Sequence, residues 1–126
     1  MNDDAILGAL DVMHAHIVAL NARNEPAVAA TLHFPHFRLS GTALKTWATP
    51  DSYFSDFRAR AGRQWAQSGF EDIRVVQASD TKVHLDAKIN RYDQGGQIIT
   101  TFRSLWVITY EGGRWAAKFR SSFATV

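Results

Sequence analysis

Residues Phe102 to Phe123 read FRSLWVITYEGGRWAAKFRSSF, two strand-like runs on either side of Glu111-Gly112-Gly113. A break that short leaves no room for a crossover, so the runs must fold back on each other as an antiparallel hairpin. The same logic extends towards the N-terminus. Phe70 to Ala78, Lys82 to Tyr92 and Gln97 to Tyr110 are runs of the same kind, separated by Ser79-Asp80-Thr81 and Gln94-Gly95-Gly96. The second half of the chain therefore predicts a long antiparallel meander.

The first half has a different period. Ile6, Leu10, Met13, Ile17 and Leu20 recur at steps of four and three, which predicts a helix over about Asp3 to Asn24 capped by Asn2, Asp3 or Asp4. Pro26 suits the first turn of a short second helix ending near Leu32, and Pro35 stops it. His36 to Leu39 and Ala43 to Ala48 form two short strands around Ser40-Gly41. Thr49 caps a third helix, Pro50 opens it, Tyr53, Phe54, Phe57, Ala61 and Trp65 keep helical spacing along it, and Ser68-Gly69 closes it. Helices first and a meander last make an α+β plan, with the helices on one face of a bent sheet.

Composition bounds the rest. The chain has 126 residues, 46% hydrophobic and 21% charged, which fits one globular domain over residues 1–126. It has no cysteine, so disulfides, thiolate metal sites and a cysteine nucleophile are all removed. Net charge is +2, and the one local basic group, Arg58, Arg60 and Arg63, reads as a solvated helix face. A nucleic-acid footprint needs a denser basic stripe, so nucleic acid is not an expected partner. The opening MNDDAILGAL is acidic where a secretory signal is basic, and no apolar run approaches about 18 residues. No membrane association is expected, and the expected compartment is the cytoplasm.

The turns set a register. With Gly95-Gly96 as a hairpin loop, Lys88 pairs with Arg103, Asp86 with Leu105 and His84 with Val107. With the last hairpin closing around Glu111-Gly112, Arg103 lies opposite Arg120 and Leu105 opposite Lys118. One face then gathers His84, Asp86, Lys88, Arg103, Lys118 and Arg120. The other gathers Val83, Leu85, Ala87, Ile89, Trp106 and Ile108. Either the apolar face meets the helices and the charged face meets water, or the helices cover the charged face and the apolar one is buried against a second subunit. A one-residue slip in either turn exchanges the faces.

Three segments carry a family resemblance: ALNARNEPAVAATLHFPHFRLSG (residues 19–41), the helix start TPDSYFSDF (residues 49–57) and FRSLWVITYEGGRWAAKFRSSF. Together with the element order they resemble the NTF2-like superfamily, in its SnoaL-like and ketosteroid-isomerase-like branches. The resemblance implies a cone: three helices in the N-terminal half, packed on a strongly curved, mixed but mainly antiparallel sheet. It also implies a pocket between the first helix, the third helix and the concave side, and homodimers formed through the outer sheet face. It favours the second arrangement, with the polar face as the pocket floor. The isomerase branch keeps a tyrosine, an aspartate base and a second acid where this chain has His16, Ser40 and Leu105. Without a carboxylate at the base position, steroid isomerisation by that arrangement is not expected.

Individual residues sharpen this expectation. His14 and His16 cannot both face a pocket from one helix, and His16, flanked by Ala9, Val12 and Ala19, is the better placed. His33 and His36 straddle Pro35 and lack a third ligand, so no metal site is expected, and nothing calls for a cofactor. His36, Arg38 and Ser40 alternate with Phe37 and Leu39 and share one strand face. Arg103, Lys118 and Arg120, with Lys88 beside them, are cations that an anionic ligand would neutralise. The expected ligand is small, partly apolar and anionic, held by Trp47, Tyr53, Phe57 and Trp65 on the apolar side and by His36, Arg38 and the cations on the other. An enzyme of isomerase, dehydratase or cyclase type would use His16, His84 or Asp86 as acid or base. The alternative is a non-enzymatic module whose work is dimerisation.

Overall fold

The structure is a computed structural model that describes residues 2–60 and 64–124. Ala61 and Arg63, both placed by sequence on the third helix, lie outside the described residues. The elements run α1 (Asp3–Asn21), α2 (Glu25–Ala29), β1 (Leu32–Ser40), β2 (Ala43–Trp47), α3 (Pro50–Arg60), β3 (Gln67–Ala78), β4 (Lys82–Tyr92), β5 (Ile98–Glu111) and β6 (Arg114–Ser122). The strands form one sheet in the order β2-β1-β6-β5-β4-β3, antiparallel throughout except for the parallel β1–β6 pair. The expected α+β cone with a mixed, mainly antiparallel sheet is the fold observed.

Boundaries differ from expectation where a strand claims residues with weak local signals. α2 ends at Ala29, and β1 already begins at Leu32 and runs through Pro35. Pro35 is tolerated because the β1–β6 register shifts between Leu32 and Phe37, leaving a stretch where no ladder hydrogen bond is asked of it. Ser68 and Gly69 do not close a helix; they pair with Arg91 and Asn90 inside β3. The Asn21 side chain explains this start of β3. It accepts from the Ser68 amide at 2.8 Å and donates to the Ser68 carbonyl at 2.8 Å, joining the end of α1 to the sheet. Arg23, at φ 54°, donates to the carbonyls of Asn21 and Ala66 and lies 4.4 Å from the Trp65 ring.

The first hairpin keeps the expected register: Lys88 opposite Arg103, Asp86 opposite Leu105, His84 opposite Val107. The last hairpin does not. Glu111 pairs with Arg114, so the loop is Gly112-Gly113, both at positive φ (61° and 80°), as a two-residue turn of matching twist requires. Ile108 then pairs with Ala117, but Val107 pairs with Phe119, leaving Lys118 as an extra residue in β6. Because side chains alternate with period two, that bulge exchanges the faces of β6 beyond it. Arg120 therefore lies opposite Trp106, not Arg103.

The helix-facing side of the sheet is the apolar one, which corrects the expectation of a polar floor. Val83, Leu85, Ala87, Ile89, Ser104, Trp106 and Ile108 are all buried. They meet Ala5, Ala9, Val12 and Met13 of α1. Burying this face within the monomer removes more apolar surface from water than burying its charged opposite would. Small residues on α1 let the helix sit close. A Cβ on Gly8 would come within 2.6 Å of Trp115 Cδ1 and 2.7 Å of its Nε1. The indole is rigid, so Gly8→Ala should destabilise the fold by about 1–3 kcal/mol despite its better helix propensity. Urea denaturation of the variant against the parent measures this.

Candidate functional site

The cone encloses a cavity of about 150 Å³ between α1, α3 and the helix-facing side of the sheet. His16, Ile17 and Leu20 reach it from α1, Arg38 and Ser40 from β1, and Tyr53 and Phe57 from α3. Trp65, Ser68, Phe70, Ile89, Arg91, Phe102, Trp106, Arg120, Ser122 and Ala124 complete the wall. Among the described residues the wall is apolar and aromatic with three arginines and no aspartate or glutamate.

The parallel pairing of β1 and β6 sets Arg38 beside Arg120 on neighbouring strands. Neighbouring strands are about 4.8 Å apart, so the two cations share one end of the cavity. The Arg120 guanidinium carbon lies 4.9 Å from the centre of the Trp106 ring, and that of Arg38 lies 5.4 Å from Trp47. An indole face attracts a guanidinium but accepts no conventional hydrogen bond from it. Arg120 Nε is enclosed and has no hydrogen-bond partner among the described residues.

Two histidines stand by these cations, and both are neutral. The His16 ring is buried, edge-on to Trp106 at 5.1 Å, and burial followed by the Arg120 charge lowers its pKa to about 3. His36 is buried between Trp47, stacked at 6.2 Å, and Tyr53 at 5.8 Å. Burial and then Arg120 lower its pKa to about 3 as well, against a hydrogen bond to the Ala117 carbonyl at 3.0 Å.

Of the residues singled out by sequence, the structure brings His16, Arg38, Tyr53, Phe57, Trp65 and Arg120 to the cavity wall. His36 and Trp47 pack directly behind Tyr53. His84, Asp86, Lys88 and Arg103 stand on the outer face, as does the Asp86 partner Arg74. Asp86 accepts from Arg74 at 3.1 Å and Arg103 at 3.3 Å, while Lys88 pairs with Glu71 at 2.7 Å. Lys118, at the bulge, pairs with Glu111 at 3.1 Å. These four cannot touch a molecule in the cavity, and neither can Lys118, whose charge is already matched. The reason is the register: the polar parity of β4 and β5 is the outward one.

Arg91, Phe102 and Trp106 were missed as wall residues. Alternation along β4 could have found Arg91, since Val83, Leu85, Ala87, Ile89 and Arg91 share one parity. Ser122 and the inward Arg120 carried no such signal, because their parity depends on the bulge. Among the described residues no group of three His, Cys, Asp or Glu could hold a metal ion, and no helix is long and apolar enough to cross a membrane.

Solved structures share this architecture. A protein of unknown function with a cystatin-like fold from Nostoc punctiforme superposes with a TM-score of 0.78 at 9% identity, covering 94% of this chain and 90% of that one. An NTF2-like protein of unknown function from Shewanella oneidensis gives 0.77 at 12%, covering 98% and 100%. A ketosteroid-isomerase-like protein from Erwinia carotovora gives 0.69 at 16%, covering 94% and 96%. The fold is thus the NTF2-like cone. No protein-family model matches the sequence, and no curated protein does.

The buried histidines make stability depend on acid. Both rings titrate near the ordinary value of about 6.5 in the unfolded chain and near 3 in the folded one. Between those limits the unfolded chain binds more protons, so stability is full above pH 6.5 and falls as pH drops towards 3. Each histidine should withdraw about 1.4 kcal/mol per pH unit in that window. Denaturant midpoints measured from pH 7.5 to 4.5 should fall steeply, and His36→Gln should flatten the slope.

Proposed function

We propose that this protein binds a small, partly apolar anion in the cone, with Arg120 and Arg38 receiving the charge and Phe57, Trp65, Phe70 and Phe102 receiving the apolar body. The observation that carries this is a wall that, among the described residues, holds arginines and no aspartate or glutamate, with Arg120 Nε enclosed and given no acceptor by them. An enclosed guanidinium N–H without an acceptor, as at Arg120 Nε, is costly, and a ligand carboxylate would supply both charge and acceptor. Arginine suits a planar, two-oxygen anion better than lysine does. A volume of about 150 Å³ matches one six-membered ring. The structural neighbour described as ketosteroid-isomerase-like makes small-molecule chemistry a reasonable setting, but among the described residues of the wall no aspartate or glutamate stands ready to act as a base. Binding rather than that proton transfer is the function supported best.

Benzoate is a suitable first probe. Isothermal titration calorimetry should find saturable binding to the parent, and Arg120→Gln should weaken it about tenfold or more at unchanged thermal stability. Absence of binding, or equal binding by the variant, would overturn the reading.

A homodimer through the outer sheet face fits the same structure. Phe37, Phe119 and Val107 form one cross-strand row there, and Leu39 and Leu105 flank it. All five are only partly buried in the monomer. The Arg74–Asp86–Arg103 group borders the row and would give it a polar rim. Sedimentation at micromolar concentration should give a dimer for the parent and a monomer for Phe119→Glu. A monomeric parent would remove the dimer, and with it the alternative of a pure association module.

A further inference from the structure

The hydrogen bonding behind His16 fixes which proton its ring carries. The Thr31 side chain lies 2.6 Å from the Val28 carbonyl, which can only accept, so the hydroxyl proton is committed there. His16 Nδ1 lies 2.8 Å from the same Thr31 oxygen. Since that oxygen has no proton left to give, Nδ1 must be the donor. A neutral imidazole has one N–H, so Nε2 is bare and can only accept. Nothing among the described residues donates to it. The ring lines the cavity, and it shares the Trp106 indole with Arg120, at 5.1 Å and 4.9 Å respectively.

The end of the cavity thus combines two unlike demands around one indole. Arg38 and Arg120 offer donors only, and His16 offers an acceptor only. A plain carboxylate satisfies the first and leaves the second unmet. We propose that the site selects a ring acid that also carries an O–H or N–H donor, as a hydroxyaryl carboxylate does, with the carboxylate at Arg120 and Arg38 and the donor at His16 Nε2. This rests on the anion-binding reading above and adds a specificity that reading does not contain. Tyr53, Ser40 and Ser122 can each donate or accept by rotating, so they impose no such selection. A site with a fixed buried acceptor discriminates strongly against the analogue that lacks the matching donor.

Calorimetric titration of benzoate, the three hydroxybenzoates and the matching methoxybenzoates tests this. At least one hydroxybenzoate should bind roughly tenfold tighter than benzoate, and its methyl ether should lose the gain. In His16→Phe that hydroxybenzoate and its methyl ether should bind within about threefold of each other, the parent's preference for the free hydroxyl being lost. If benzoate binds and no hydroxybenzoate exceeds it, the donor selection is wrong and anion binding stands. If none of the acids binds, both fall. Nitrogen-15 spectra of the histidine side chains of the parent at pH 7 give a check that needs no variant to fold. They should show His16 with Nδ1 protonated and Nε2 bare, and a protonated Nε2 would overturn the proposal.

Discussion

One extra residue in β6 decides what the cavity contains. Up to Ala117 the strand turns its small and aromatic side chains towards α1, where Ala117 packs beside Ile108 and Trp115 fills the space over Gly8. After Lys118 the parity reverses, and Arg120 and Ser122 face inward while Phe119 faces out. Without the bulge the same sequence would send Arg120 to the outer face and bring Phe119 and Ser121 to the inner one. The cone would then lose one of its three arginines and gain a ring in its place. Lys118 itself can sit at the irregularity because its long stem reaches Glu111, keeping its charge in water.

Charge placement on the two faces follows different rules. On the outer face, Lys88 and Lys118 each have an acidic partner, and Arg74 and Arg103 share Asp86. These pairs are exposed and contribute little to stability. Their effect is to leave no unmatched cation among them. Inside, the described wall has arginines and no aspartate or glutamate, and the histidines respond by staying neutral. The contrast locates the unmet hydrogen-bonding demand at Arg120 Nε, on β6.

How much of this the sequence displays depends on how local each cause is. Element order and fold class were legible because helical and strand periods differ, and because Gly95-Gly96 and Gly112-Gly113 punctuate the meander. The β4–β5 register followed from one turn and was correct at Lys88, Asp86 and His84. Which face meets the helices was misjudged, although the run of Val83, Leu85, Ala87 and Ile89 states it plainly. A partner subunit was invoked where α1 already supplied the cover. The inward Arg120 was expected in the pocket, yet for a reason that fails, since Arg103 was expected beside it. A bulge has no residue signature of its own; it is settled by how β6 meets β5 and β1 together.

The bond pair between Asn21 and Ser68 has a mechanical meaning. It ties the end of α1 to β3 by two directional hydrogen bonds, so helix and sheet edge form a single rigid jaw. α3 is seated by rings and polar ties together: Tyr53 and Phe57 meet Trp47, His36, Phe34 and Trp65 ring against ring, Trp47 Nε1 donates to the Asp56 carboxylate at 3.2 Å, and Arg58 donates to Glu25 of α2. Ring contacts of this kind tolerate sliding that a paired amide does not. The cavity is thus held on one side by a part-buried amide pair and on the other by an aromatic bed with polar ties at its edge.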